Sequence, residues 1–75
     1  MQSEARKVQL ALLSHFNAIS DIIMENQSVG LTEALSMLRT QVYNRAVKKY
    51  GVKPYRVSKA LGVTISAASR QLRSP

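Results

Sequence analysis

The chain contains no cysteine and no tryptophan, and it has only one histidine, four acidic residues and two prolines. Without cysteine there is neither a disulfide framework nor a thiolate metal site. Four carboxylates and one imidazole leave little material for catalysis. No nucleophile-base pair and no metal-ligand spacing can be assembled from them, so neither an enzyme activity nor a cofactor is expected. The three glycines, Gly30, Gly51 and Gly62, stand alone and make no phosphate-binding loop. Charge interrupts every apolar segment well short of a bilayer span, and Met1 to Lys7 is polar, so the expectation is a soluble cytoplasmic protein with no membrane partner. Nor is there a segment that suggests a small-molecule effector.

Size sets a second bound. The 75 residues suit one compact domain, and a chain this short buries only about 60% of the surface it exposes when unfolded, which makes its own core marginal. With no staple available, the remedy is a second copy of the chain, whose association then contributes to folding.

Acids are scarce, and they are also unevenly placed. Through Gly30, Arg6 and Lys7 stand against Glu4, Asp21 and Glu25, a balance of −1. From Leu31 onward Arg39, Arg45, Lys48, Lys49, Lys53, Arg56, Lys59, Arg70 and Arg73 stand against Glu33 alone, a balance of +8. A field this one-sided attracts polyanions, and each phosphate it neutralises releases condensed counterions, so binding would weaken steeply with salt.

The basic half is organised around Pro54 to Leu72. Pro54 suits a first helical position, and Val57, Ala60 and Leu61 recur at helical spacing. Gly62 provides the φ > 0 that ends the helix and turns the chain, with Val63 as a plug inside the turn. Thr64 is a good N-cap for a last helix of about Ile65 to Leu72. Ser66, Ala67, Ala68 and Ser69 add little bulk, so that helix can approach an outside surface closely. Its exposed face is expected to carry Thr64, Ile65, Ser66, Ser69, Arg70 and Arg73. Hydroxyls can pair with several base groups, Ile65 can pack on a thymine methyl, and Arg70 can reach guanine or phosphate.

These residues resemble the helix-turn-helix of small bacterial and phage DNA-binding proteins. Ser58, Gly62, Val63, Ala68 and Arg70 match its helix contacts, its turn and its recognition helix. Ala46 to Arg73 is also similar to the Fis family, with Ala46, Gly62, Arg70 and Leu72 at that spacing. Gly51 comes one place early, Val57 and Ser58 stand where two alanines are usual, and Ile65 stands where an arginine is common. The resemblance covers under half the chain and implies a dimeric DNA binder, with the six residues from Thr64 to Arg73 as base contacts.

Upstream, Ser3 is a candidate cap for a helix to about Asn26. Val8, Leu12, Ile19 and Ile23 form one apolar stripe, widened by Ala5, Ala11, Phe16 and Ile22, with His15 near its middle. Leu10, Leu13 and Met24 lie off it, so the apolar arc exceeds what one neighbour covers. Burial from two directions is expected, one side on the chain's own second half and the other on a second subunit. Val8, Leu12, His15, Phe16, Ile19, Ile22 and Ile23 are the expected dimer interface, with His15 a seam residue rather than a metal ligand. Glu25 to Gly30 reads as a loop. Thr32 is a candidate cap for a helix to Tyr50, with Leu35, Leu38, Val42, Tyr43 and Ala46 facing inward and Val47 and Tyr50 leaning toward the hairpin. Lys48, Lys49, Lys53, Tyr55, Arg56 and Lys59 are candidate phosphate contacts, which position a protein on DNA without reading sequence.

The expectation is therefore an all-α, four-helix dimeric domain. Residues 1-30 form a dimerisation helix and loop, and residues 31-75 a basic helix-turn-helix half. The expected function is that of a homodimeric, sequence-specific double-stranded DNA-binding transcriptional regulator, cytoplasmic and nucleoid-associated, of phage, plasmid or bacterial origin. A Fis-like architectural DNA-bending protein and an antitoxin- or anti-activator-type interaction module are the alternatives.

Overall fold

The computed structural model describes residues 3-73. Among them there are four α-helices and no strand: α1 (Glu4–Asn26), α2 (Leu31–Tyr50), α3 (Pro54–Leu61) and α4 (Ile65–Arg73). None of these helices is long and apolar enough to cross a membrane. The chain forms two compact units that divide between Ala34 and Leu35.

The first unit is built on α1. Ser3 caps it, its hydroxyl oxygen accepting the Arg6 N–H at 3.2 Å, which satisfies one of the unpaired donors of a helix start. The helix ends at Gln27, a non-glycine residue held in the left-handed region at φ 56°, whose N–H donates to the Ile23 carbonyl. Polar side chains on α1 fold back on their own helix: the Ser20 hydroxyl donates to the Phe16 carbonyl and the Asn26 amide to that of Ile22. No residue of α1 is buried. Val8, Leu12, His15, Phe16, Ile19 and Ile22 are exposed and Ile23 is half-buried.

The first turn of α2 begins at Leu31, one residue ahead of the expected cap Thr32, and the Gly30 carbonyl accepts the Ala34 N–H. Thr32 thus lies inside the helix. Gly30 can take the non-helical conformation of an entry residue without cost, which removes the need for a hydroxyl cap at the next positions.

The second unit holds the core. Tyr43 and Ala46 from α2, Val57 from α3 and Ala68 from α4 are buried together, with Val47, Leu61 and Leu72 packed around them. Val57 and Ala68 are both fully closed to solvent. Gly51 ends α2 at φ 97°, its N–H donating to the Val47 carbonyl at 2.8 Å. Lys53 precedes α3 and Pro54 takes its first position, where a missing N–H costs nothing.

Two expectations about burial in this unit are corrected. Leu35, Leu38 and Val42 do not share the buried face of α2 with Tyr43 and Ala46, and all three are exposed. Counted at 100° per residue, Tyr43, Ala46, Val47 and Tyr50 centre about 100° round the helix from the leucines, so one hairpin cannot cover both faces. Tyr50 is exposed. Val63, expected to plug the turn, is not part of the buried core and is 38% exposed, while Val57 and Ala68 close the space between α3 and α4.

Candidate nucleic-acid interface

The α3-α4 hairpin is held by local bonds that its sequence specifies. Gly62 adopts φ 67° and its N–H donates to the Ser58 carbonyl, which also accepts the Val63 N–H at 3.1 Å. Thr64 then starts α4. Its hydroxyl oxygen accepts the Ala67 N–H at 3.0 Å and its carbonyl accepts the Ala68 N–H. The Ser58 side chain is buried, and its hydroxyl donates to the Tyr55 carbonyl at 2.8 Å, so this polar group enters the interior already satisfied. Ala68 is fully buried, and its small side chain lets the two helices approach.

The outer face of α4 is open. Thr64, Ile65, Ser66, Arg70 and Arg73 are all exposed. Ser69 departs from the expected set: it is half-buried, and its carbonyl accepts the Arg73 Nε–H at 3.4 Å. Residue 69 follows Ala68 by one step and shares part of its shelter. Thr64 also carries a structural task, since one lone pair of its oxygen is engaged in the cap, which leaves its O–H and the second lone pair for an outside partner.

Lys48, Lys49, Lys53, Tyr55, Arg56 and Lys59 are exposed as well. They occupy the end of α2, the α2-α3 connection and the outer side of α3. The Lys49 ammonium lies 5.5 Å from the centre of the Tyr50 ring, a cation-π contact, and the residue is exposed. Arg45, Lys48 and Lys49 border an open groove lined by Val47, Leu61 and Leu72.

From Leu35 onward the sequence has nine lysines and arginines and no carboxylate side chain. All nine cations are exposed, and Arg73 also donates to its own helix backbone. This unit can therefore offer hydroxyls, one isoleucine and two arginines from α4, within a cationic field with no internal neutralisation. A sequence-only reading could not see that Glu33, the one acid of the basic half, falls in the other unit; the count alone gives no boundary. No protein-family model matches the chain, and neither a curated protein nor a solved structure matches it.

Proposed function

We propose that the chain is a homodimeric, sequence-specific double-stranded DNA-binding protein, a small transcriptional regulator in which α3 and α4 act as a helix-turn-helix. In this reading α4 enters the major groove, where its N-terminal residues meet base edges. Ser66 and Ile65 contact bases, Arg70 pairs with guanine or phosphate, and Lys48, Lys49, Lys53 and Arg56 hold the backbone on either side. The observation that carries the reading is the combination in one unit of an open, small-residue helix with nine cations and no acid. A helix packed only for stability would not need that charge, and a charged surface without the hairpin would have no groove-sized element to present.

The homodimer part rests on α1, whose apolar arc of Val8, Leu12, Phe16, Ile19 and Ile22, with Leu10, Leu13 and Met24 beside it, is wider than one neighbour covers. Large exposed apolar surface on a helix marks an interaction surface.

The test is direct. A duplex selected from a random pool and a scrambled duplex of equal length are titrated at one salt concentration, and the mass of the free protein is measured. A dimer that prefers the selected duplex by at least about 10³-fold supports the proposal. Equal affinity for both duplexes replaces it with a nonspecific architectural role, and no affinity for either replaces it with a protein-interaction module.

A further inference from the structure

On the side of α3 away from the core, Tyr50, Tyr55, Arg56, Lys59 and Ala60 line an open cavity of about 350 Å³. At 100° per residue, Tyr55, Lys59, Arg56 and Ala60 fall within about 140° of one another on α3, opposite Val57 and Leu61. The helix turns this face outward by packing its own core. Tyr50 is the last residue of α2, and Gly51, at φ 97°, bends the chain behind it so that both helices contribute to one cavity.

The lining combines two kinds of group. Tyr50 and Tyr55 are 44% and 59% exposed, whereas the third tyrosine, Tyr43, is buried in the core. Aromatic rings held in a cavity wall offer their faces to a planar guest. Arg56 and Lys59 stand in the same wall, and this unit has no carboxylate side chain to neutralise either of them. An anion is the partner they lack.

We propose that this cavity binds one nucleoside 5′-phosphate, its base stacked on Tyr50 and Tyr55 and its phosphate held by Arg56 and Lys59. Each half of the ligand answers one half of the lining. An uncharged aromatic ligand would leave two cations without a counter-ion, and inorganic phosphate would leave both rings unused. Ligand pockets run to roughly 300–1,000 Å³. A cavity at the low end of that range suits a single nucleotide rather than a dinucleotide. The nucleotide can be free or the 5′ end of an unpaired strand, since both present the same two groups. None of the lining residues belongs to α4, so the site goes beyond the base reading assigned to that helix.

The sequence has three tyrosines and no tryptophan, so ring signals can be followed one by one. The 75-residue chain is titrated at low salt with AMP, adenosine and ribose 5-phosphate while the tyrosine ring resonances are recorded by NMR. AMP is expected to shift Tyr50 and Tyr55, to leave Tyr43 in place, and to bind at least about 10-fold more tightly than adenosine or ribose 5-phosphate. Tyr55→Leu and Lys59→Gln should each weaken AMP by about 5-fold or more, with thermal melts confirming that both variants fold. Ribose 5-phosphate that binds as tightly as AMP would overturn the stacking, and adenosine that does so would overturn the phosphate grip. Unmoved Tyr50 and Tyr55 resonances, or folded variants that bind AMP as before, would overturn the site. With the site upheld, a 5′-phosphorylated adenine trinucleotide identifies the source: tighter binding than AMP assigns a strand end, and weaker binding assigns a free nucleotide. None of these outcomes depends on whether duplex DNA binds, so the site and the proposed function fail separately.

Discussion

The Thr64 hydroxyl oxygen accepts the Ala67 N–H at 3.0 Å, closing the first turn of α4. The residue expected to meet a base edge is thus also the residue that starts the helix carrying the other contacts. Ser66, two positions on, is exposed and makes no such bond among the described residues.

Those two hydroxyls separate by substitution. Thr64→Ala removes the cap and should lower stability by about 1 kcal/mol, while Thr64→Asp should keep most of it. Ser66→Ala should leave stability within about 0.5 kcal/mol and act only on DNA. Thermal melts of the three variants, set beside titrations of a selected duplex, provide the comparison.

Gly62 turns the chain at φ 67°, and a Cβ added there would meet nothing within 4 Å. The expected cost of Gly62→Ala is therefore backbone strain alone, about 1–2 kcal/mol. Chemical denaturation should show that loss in the midpoint without a change of slope, and a neutral result would mean that the turn has another accessible conformation.

Gln27 offers the converse. It ends α1 in the left-handed region at φ 56°, where glycine fits without penalty. Gln27→Gly should stabilise the protein by about 0.5–1 kcal/mol, measured as a rise in melting temperature.

Arg70 and Lys49 should differ in kind. Arg70→Ala is expected to cost about 1–3 kcal/mol on the selected duplex and to relax base choice. Lys49→Ala should weaken selected and random duplexes alike and reduce the salt slope by about one unit. Identical behaviour of the two variants on both duplexes would remove the division between reading and gripping.

Nine like charges without an acid beyond Ala34 also act on the protein itself. Self-repulsion destabilises a compact state and is screened over about 10 Å at 0.1 M salt. Raising salt from about 10 to 150 mM should therefore raise the melting temperature of the free protein while lowering its affinity for any duplex. Parallel melts and titrations across that range test the opposed signs.

The local devices could be read before any coordinates. Ser3, Pro54, Gly62 and Thr64 stand where their residue types suit a cap, a first turn or a positive φ, because each acts on a backbone group within a few positions. The four helices followed from the same short-range signals and from apolar spacing. The unequal distribution of charge was also visible, since it needs only a count.

Burial was decided at a longer range. The sequence makes Leu35, Leu38 and Val42 as apolar as Ala46, Val57 and Ala68, but composition does not say which face of a helix finds a neighbour. In the folded chain the small side chain of Ala68 admits Val57 and Tyr43 into one closed cluster, and the leucines, about 100° round α2, are left outside it. Whether Ser69 is sheltered and Val63 open depends on how α3 and α4 close on each other, which no single residue specifies. Residue types determined where the helices start, stop and carry charge, and packing alone determined which of their apolar faces was used.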